Sequence, residues 1–190
     1  MKKPLLYVSL LLAACPALAT APAPRVYTEG KYFTVQVPEG WVKKEEGLGL
    51  SDADKKVYGS DFFGPYSGEL GVRLGVHYYA PGNQLQPTAE KFIKLHSAPA
   101  IGVNLDGKVY GKVKEGKAGS YYARVFERKT YEYKPENALH PKKIHVYEKF
   151  YVVPVKNGFY VLSYYAPMDL AKANLKAFET AVSSFKPLTR

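Results

Sequence analysis

The sequence predicts an α+β fold, in which an antiparallel β-sheet built from hairpins is flanked by helices. Segments that alternate between apolar and polar residues recur between residues 32 and 165, and this alternation is typical of strands with one buried face. Stretches rich in glycine, proline and asparagine divide these segments into pairs. Two other segments repeat their apolar residues at helical spacing, so we expect helices to cover the sheet.

The first strand is predicted over residues 32–37, where Phe33, Val35 and Val37 share one side before Pro38 begins a turn. The first hairpin is predicted from residues 56–63 and 69–79, joined across the turn-rich residues 64–68. Its second strand places five apolar residues on one face: Leu70, Val72, Leu74, Val76 and Tyr78.

Two further hairpins are predicted downstream. The second pairs residues 108–114 with 120–133 around a turn at residues 115–119, which contain two glycines. The third pairs residues 144–155 with 159–165 across Asn157-Gly158, a strong two-residue turn signal.

A two-residue loop at that point would set Tyr151 opposite Tyr164 and Val153 opposite Leu162. Pro154 would then lack the N–H that a ladder hydrogen bond requires. We therefore expect a bulge or an edge position at Pro154.

Two helices are predicted. Residues 86–97 place Ala89, Phe92, Ile93 and His96 at helical spacing, with Pro87 suited to the first turn. Residues 170–185 form the clearest helix, with Asp169 as its N-cap. The apolar stripe of this second helix consists of Ala171, Leu175, Phe178, Val182 and Phe185.

The N-terminal segment has the three zones of an export leader. Lys2 and Lys3 precede an apolar block over residues 5–14, which is too short to cross a bilayer, and small residues follow. We predict a signal peptide at residues 1–14, an Ala/Pro-rich tether at 15–25 and one domain at 26–190.

Cys15 is the candidate lipid-attachment residue. Leu12-Ala13-Ala14-Cys15 resembles the lipobox of bacterial lipoproteins, in which the cysteine thiol receives a diacylglycerol and the leader is cut before it. The alternative is cleavage after Ala17-Leu18-Ala19, which would remove Cys15 and release a secreted or soluble periplasmic protein. Cys15 is the only cysteine, so an intramolecular disulfide is excluded.

The positive net charge is dispersed along the chain. Lysine and arginine total 27 against 17 acidic residues, but no run of five cations occurs. The excess favours either a soluble surface or attraction to anionic headgroups and acidic envelope polymers. An exported chain with no recognised nucleic-acid motif is not expected to bind nucleic acid.

No motif predicts catalysis, a metal site or a cofactor. Asp52-Ala53-Asp54 begins like a calcium loop, but Lys56 occupies the next ligand position and Val57 the position of the required glycine. The four histidines lack the i, i+4 or i, i+2 spacing useful for a metal. No nucleophile elbow or phosphate-binding loop occurs, so we expect a protein that is not an enzyme.

Two sets of residues are candidates for binding. Glu69, Arg73, His77 and Tyr79 lie on the polar side of one predicted strand, where they could line a shallow cleft or simply form a solvated sheet face. The 17 tyrosines could supply an exposed contact surface or could stabilise the sheet as cross-strand aromatic pairs.

Three segments together resemble the PsbP-like superfamily, which includes bacterial envelope lipoproteins similar to DcrB. They are Phe33-Thr34-Val35-Gln36-Val37-Pro38-Glu39-Gly40-Trp41, the hairpin sequence Asn157-Gly158-Phe159-Tyr160-Val161-Leu162-Ser163-Tyr164-Tyr165, and the closing Ser183-Ser184-Phe185-Lys186-Pro187-Leu188. The resemblance implies an antiparallel sheet with helices on both sides. It also implies a small binding or assembly factor without catalysis.

These observations predict a non-enzymatic, lipid-anchored protein of the cell envelope, facing the periplasm or exterior, that binds a protein partner or helps to assemble a complex. The alternative is a binding module for a small amphiphile or glycan. A concave pocket lined by several tyrosines would favour the ligand, whereas a flat patch would favour a protein.

Overall fold

The computed structural model describes residues 24–44, 50–99, 102–103 and 107–189. The strands in these ranges are β1 (Arg25–Glu29), β2 (Phe33–Val37), β3 (Val42–Lys43), β4 (Val57–Ser67), β5 (Leu70–Tyr79), β6 (Val109–Tyr110), β7 (Lys114–Ala118), β8 (Tyr121–Lys134), β9 (Lys142–Val155), β10 (Gly158–Pro167) and β11 (Lys186–Pro187). The helices are α1 (Asp52–Lys55), α2 (Ala89–His96) and α3 (Met168–Ser184).

Two antiparallel sheets organise the chain. The large sheet has the order β3-β4-β5-β10-β9-β8-β6, and β7 also pairs with β8. The small sheet has the order β1-β2-β11. Helix α3 packs on one face of the large sheet beside β2, and α2 packs on the other face. The predicted α+β class, with helices on both sides of an antiparallel sheet, is confirmed.

The larger core lies between the large sheet, α3 and the small sheet. All five apolar residues predicted for one face of β5 are buried, and all of them except Leu70 pack in this core with the buried side of β2. Helix α3 contributes Phe178, which is fully buried and stacks on the Tyr164 ring with centroids 5.4 Å apart. This burial of apolar area is the main stabilising contribution to the fold.

A second core forms under α2 on the opposite sheet face. Phe92 of α2 contacts the rings of Phe150 and Phe159, whose centroids are 6.2 and 6.0 Å away. The helix is shorter than predicted because Thr88, not Pro87, lies at its start, where the Thr88 Oγ1 accepts a hydrogen bond from the Lys91 N–H at 3.2 Å. Pro87 therefore lies outside the first turn, contrary to the prediction.

Helix α3 begins two residues earlier than predicted, and the assignment of Asp169 as its N-cap is wrong. Pro167 occupies the cap position and makes no side-chain cap hydrogen bond. Asp169 lies in the first turn, where its carboxylate accepts a hydrogen bond from the Ser67 hydroxyl at 2.5 Å. A carboxylate there still interacts favourably with the helix dipole.

The turn of the third hairpin differs from the predicted one. Gly158 pairs with Val155, so the two-residue loop consists of Lys156 and Asn157. Gly158, not Asn157, has the positive φ, at 104°. A type I′ turn at Asn157-Gly158 would require a positive φ at both positions.

This shift changes the facing residues. Tyr151 lies opposite Leu162 instead of Tyr164, and Val153 lies opposite Tyr160 instead of Leu162. Each predicted pair is displaced by two residues, so every side chain still points to its predicted face.

Pro154 lies at a local edge of the sheet. Of the two predicted possibilities, a bulge or an edge position, the edge position is therefore the one found. It pairs with Phe159 of β10. On its other side the ladder between β8 and β9 ends at Arg124 and Val152. The missing N–H therefore interrupts no ladder hydrogen bond with β8.

The second hairpin also turns at a different place. Residues 115–119 are not a turn, since most of them belong to β7, which pairs Gly116 with Ala123 of β8. The turn is formed by Gly119 and Ser120. Gly116 is explained by packing, because a Cβ there would stand 2.6 Å from a methyl carbon of Val125.

Candidate binding surface

The predicted lipid-attachment residue Cys15 and the predicted signal peptide lie outside the described residues. The described chain begins at residue 24, and β1 starts at Arg25. Among the helices that the structure describes, none has both the length and the apolar character needed to span a membrane.

Many tyrosines stabilise the sheet from within. Tyr32 stacks on Tyr58 with ring centroids 4.2 Å apart, and Tyr78 lies 5.6 Å from Tyr32 and 4.7 Å from Tyr160. The Tyr160 hydroxyl donates to the Tyr32 carbonyl at 2.8 Å. Burial, reinforced by the Tyr58 side chain, raises the pKa of Tyr32 to about 12. These rings join the small sheet to the large one.

The predicted polar constellation on β5 divides between two places. Glu69, in the turn before β5, and Arg73 line a shallow surface cleft of about 230 Å³. His77 and Tyr79 are not among its lining residues. Tyr79 instead stacks on Phe159 at 4.7 Å in the core under α2, where burial raises the pKa of its phenol to about 12.

We call this depression the Arg73 cleft. Its lining residues are Phe63, Tyr66, Glu69, Leu70, Gly71, Arg73, Glu132, Lys134 and Tyr165. They come from the β4–β5 hairpin, from β10 and from the end of β8, so the order of strands in the sheet brings them together.

A network of contacts connects the charged and aromatic side chains of the Arg73 cleft. The Arg73 guanidinium lies over the Tyr165 ring, 4.9 Å from its centroid, in a cation–π contact. The Tyr165 hydroxyl donates to Glu132 Oε1 at 2.8 Å, and Lys134 Nζ lies 3.8 Å from the other Glu132 oxygen. Burial and the Glu132 contact both raise the pKa of Tyr165. The network positions Arg73 and Tyr165 with little freedom.

An exposed aromatic side chain forms the rim of the cleft. Tyr66 is 60% exposed and stacks on Phe63 with centroids 6.3 Å apart. Gly71 lies beneath this ring, since a Cβ there would stand 2.8 Å from Tyr66 Cζ. The sequence offered the tyrosines as a group of possible contact residues but did not single out Tyr66 or Tyr165 for this cleft. Only the glycine opposite Tyr66 indicated the close contact.

A serine, a histidine and an aspartate converge on Gly75 on the face of the sheet that carries α2. Asp61 Oδ1 and Ser163 Oγ lie 2.5 and 2.6 Å from the point that a Gly75 Cβ would occupy, and His77 Cε1 lies 3.4 Å from it. Burial lowers the pKa of His77. Activation of a serine nucleophile requires a hydrogen bond to its base, and no hydrogen bond joins these three side chains in the described structure.

The described residues include no group of three or more histidine, cysteine, aspartate or glutamate side chains that could hold a metal ion. Asp52 and Asp54, the start of the failed calcium motif, lie in α1. They belong to the local structure of this short helix, in which the Ser51 hydroxyl forms the N-cap and donates a hydrogen bond to Asp54.

No protein-family model matches the chain, and no curated protein matches it. Solved structures do resemble it in fold. One is a protein from Bacteroides thetaiotaomicron, with 12% identity and a TM-score of 0.48 over 88% of this chain and 49% of the other. The chain thus spans about half the length of that protein.

Two further structures match over most of both chains. The cyanobacterial PsbP protein CyanoP of Synechocystis sp. PCC 6803 has 12% identity and a TM-score of 0.48, over 93% of this chain and 98% of the other. LpqN of Mycobacterium tuberculosis, which is described as involved in cell envelope biogenesis, has 16% identity and a TM-score of 0.44, over 90% and 87%. At these identities the likeness concerns the fold alone.

Proposed function

We propose that this chain is a non-enzymatic, lipid-anchored protein of the cell envelope that binds a protein partner and acts as an assembly factor. The observation that carries the proposal is the Arg73 cleft with its exposed Tyr66 rim. Tyrosine and arginine, together with tryptophan, are enriched among the dominant contacts of protein interfaces. Here the Arg73 guanidinium contacts the Tyr165 ring, and the Tyr66 ring stacks on Phe63. Both side chains are therefore positioned before a partner binds.

The size of the cleft favours a protein over a small molecule. Small-molecule sites usually enclose about 300 to 1,000 Å³, whereas this cleft encloses about 230 Å³ and has two tyrosines among its lining residues. A shallow, charged surface with an aromatic rim is suited to a complementary protein surface. We therefore rank a protein partner above an amphiphile or a glycan.

The proposed anchor is Cys15, because a diacylglycerol there would hold the domain at a membrane through residues 15–24. Several acyl chains bind a bilayer stably where one chain is marginal. The test is mass spectrometry of the native N-terminus beside Cys15→Ser. A mature chain beginning with acylated Cys15 is expected, and a chain beginning with unmodified Thr20 would contradict the anchor.

The partner is tested by crosslinking in intact cells followed by affinity capture. Wild type should capture a reproducible protein, and Tyr66→Ser and Arg73→Glu should each reduce its recovery at least several-fold. The matched control is Tyr122→Ser, because Tyr122 is also exposed, at 49%, but lies outside the cleft. Equal recovery by all four proteins would refute the assignment of this surface.

A further inference from the structure

Strands β8 and β9 continue beyond the rest of the large sheet. Strand β10 ends opposite Val146, and β6 reaches only to Lys129. Residues 131–134 and 142–145 therefore pair only with each other in the described structure. We call this two-stranded extension, with the connecting residues 135–141, the arm.

One face of the arm is cationic and aromatic. Tyr131 and Tyr133 lie opposite His145 and Lys143 on this face. Two ammonium groups lie over the Tyr131 ring, with Lys143 Nζ 4.0 Å and Lys108 Nζ 5.3 Å from its centroid. Both contacts lie within the range of a cation–π interaction.

No carboxylate among the described residues forms an ion pair with the cations of this face. Within the described ranges, Lys108, Lys129 and Lys143 make no ion pair with an acidic side chain, whereas the acidic residue of the opposite face, Glu132, is paired with Lys134. A Cβ on Gly107 would stand 3.1 Å from Lys143 Nζ, so glycine keeps the backbone close to the cluster. The unpaired cations create a local positive potential on one side of the arm.

The tip of the arm exposes an aliphatic side chain. Leu139 is 90% exposed, and Tyr133 is 49% exposed. Tyrosine favours the boundary between headgroups and hydrocarbon, where its ring is apolar and its hydroxyl is hydrated. A cationic, aromatic face with an apolar tip is complementary to an anionic bilayer surface.

The arm lies at the same end of the sheet as the start of the described chain. The Arg25 guanidinium donates to the Trp41 carbonyl at 3.2 Å, and the Trp41 ring lies against Gly64. Gly64 adjoins Phe63, which pairs with Arg73, and the Arg73 cleft reaches the arm through Glu132.

The cationic face also lies on the same side of the large sheet as β1. Tyr27 of β1 packs its ring against Phe62, 4.9 Å away, in the larger core. Val125 contacts the same core and shares a face of β8 with Tyr131 and Tyr133. Residues 15–24 could span at most roughly 35 Å, so a lipid on Cys15 would keep this end of the domain near the bilayer.

We infer that the arm binds anionic phospholipid headgroups and sets the orientation of the domain on the membrane. The inference rests on the proposed lipid anchor, which brings the arm within reach of the bilayer. The arm then leaves the Arg73 cleft, on the opposite face of the sheet, directed away from the lipid toward a partner.

The test is an environment-sensitive fluorophore on Leu139→Cys in the full mature chain, purified from envelopes and reconstituted into vesicles. Cys15 is the only native cysteine, so the unsubstituted chain gives the labelling background. Emission should shift to shorter wavelength in vesicles that contain phosphatidylglycerol and not in vesicles of phosphatidylcholine alone. High salt should reduce the shift because ions screen the attraction.

The charge-reversal variant K108E/K143E should lose most of the shift, by several-fold relative to wild type. The control K91E/K94E changes the net charge equally on exposed positions of α2, on the other face, and should retain it. Thermal unfolding of each variant verifies that the fold is kept. A missing shift in both kinds of vesicle, an equal shift in both, or a shift that survives K108E/K143E would overturn the inference.

No partner is present in these vesicles, so a failed partner capture leaves this result unaffected. Mass spectrometry of the N-terminus reports on the anchor separately. A chain with an acylated Cys15 and no fluorophore shift would retain the proposed anchor and reject the role of the arm.

Discussion

Arg128 of β8 and Glu148 of β9 form a bidentate ion pair. The Arg128 Nε donates to Glu148 Oε2 at 2.5 Å, and one Nη donates to Oε1 at 2.8 Å. Thr130 donates to the same carboxylate at 3.2 Å. Glu148 is 8% exposed, so this network satisfies a nearly buried charge close to the base of the arm.

Arg128→Met should destabilise the protein by about 3 kcal/mol, because it leaves the Glu148 carboxylate buried without its partner. Arg128→Met combined with Glu148→Leu should recover much of this loss, since two apolar side chains can replace a buried ion pair with little cost. Denaturant unfolding of both variants measures the two free energies. A single variant as stable as wild type would show that Glu148 does not require Arg128 as its partner.

Acid should destabilise the protein through His96. This side chain packs against Phe92 and Phe150, and burial, assisted by the Arg128 charge, lowers its pKa from 6.5 to about 4. Between pH 6.5 and about 4 the unfolded chain binds a proton that the folded chain does not bind. Stability therefore decreases as pH falls through that window, by on the order of 2 kcal/mol.

His96→Gln removes this titration and should flatten the pH dependence of the unfolding free energy between pH 6.5 and 4. Burial also lowers the pKa of His77, so the variant should keep part of the slope. Parallel pH profiles for wild type and His96→Gln would contradict the assignment.

Gly119 is required by a close approach between two backbone segments. Its φ is +55°, and a Cβ would stand 2.2 Å from the Phe185 carbonyl oxygen. Gly119→Ala should destabilise the protein by more than about 2 kcal/mol. The alanine would have to adopt an unfavourable positive φ, and the backbone around Phe185 would have to move to make room for its Cβ. Gly68 is the control, since its φ of +59° is similar but nothing lies within 4 Å of the Cβ position.

Gly68→Ala should therefore cost only about 1 kcal/mol, the conformational part of the penalty. Thermal or denaturant unfolding of the two variants separates steric clash from backbone strain. Equal losses would mean that the contact between the β7–β8 turn and the end of α3 is not tight.

Local patterns in the sequence predicted which residues are buried better than they predicted where turns occur. Alternation placed Val72, Leu74 and Val76 correctly because one buried face imposes a period of two. Gly116 and Gly158 were misleading, since both were interpreted as turn residues. Each glycine instead reflects a close approach: a Cβ on Gly158 would stand 2.1 Å from the Tyr79 carbonyl oxygen, a contact between strands distant in sequence.

Only part of the Arg73 cleft could be predicted from the sequence, because the rest depends on contacts between strands distant in sequence. Glu69 and Arg73 were identified as possible cleft residues because they lie close together along one strand. Tyr165 and Glu132 complete the cleft from β10 and β8, and their positions follow from the order of strands in the sheet, which periodicity does not specify. The arm could not be predicted from the sequence either, because it exists only where β8 and β9 continue beyond the ends of β10 and β6.

Alkaline pH should unfold the protein cooperatively. Burial raises the pKa of Tyr32 and Tyr79 from 10 to about 12, and it raises the pKa of Tyr164 as well. Above pH 10 the unfolded chain loses phenolic protons that the folded chain retains. Stability is therefore fully present below pH 10 and is lost as pH rises toward about 12.

Phenolate absorbance and far-ultraviolet circular dichroism, followed together, measure this loss. Exposed phenols such as Tyr66 and Tyr133 ionise while the protein is still folded. The part of the phenolate signal that comes from the buried phenols should change together with the circular dichroism, because those phenols ionise only when the fold opens. Tyr164→Phe should weaken the pH dependence above pH 10, although removing the hydrogen bond from its hydroxyl to the Ala171 carbonyl, 2.8 Å long, costs about 1 kcal/mol at neutral pH. Tyr133→Phe is the matched control at an exposed position and should leave the midpoint unchanged. Full phenolate formation with an intact circular dichroism spectrum would show that the aromatic core is open to hydroxide.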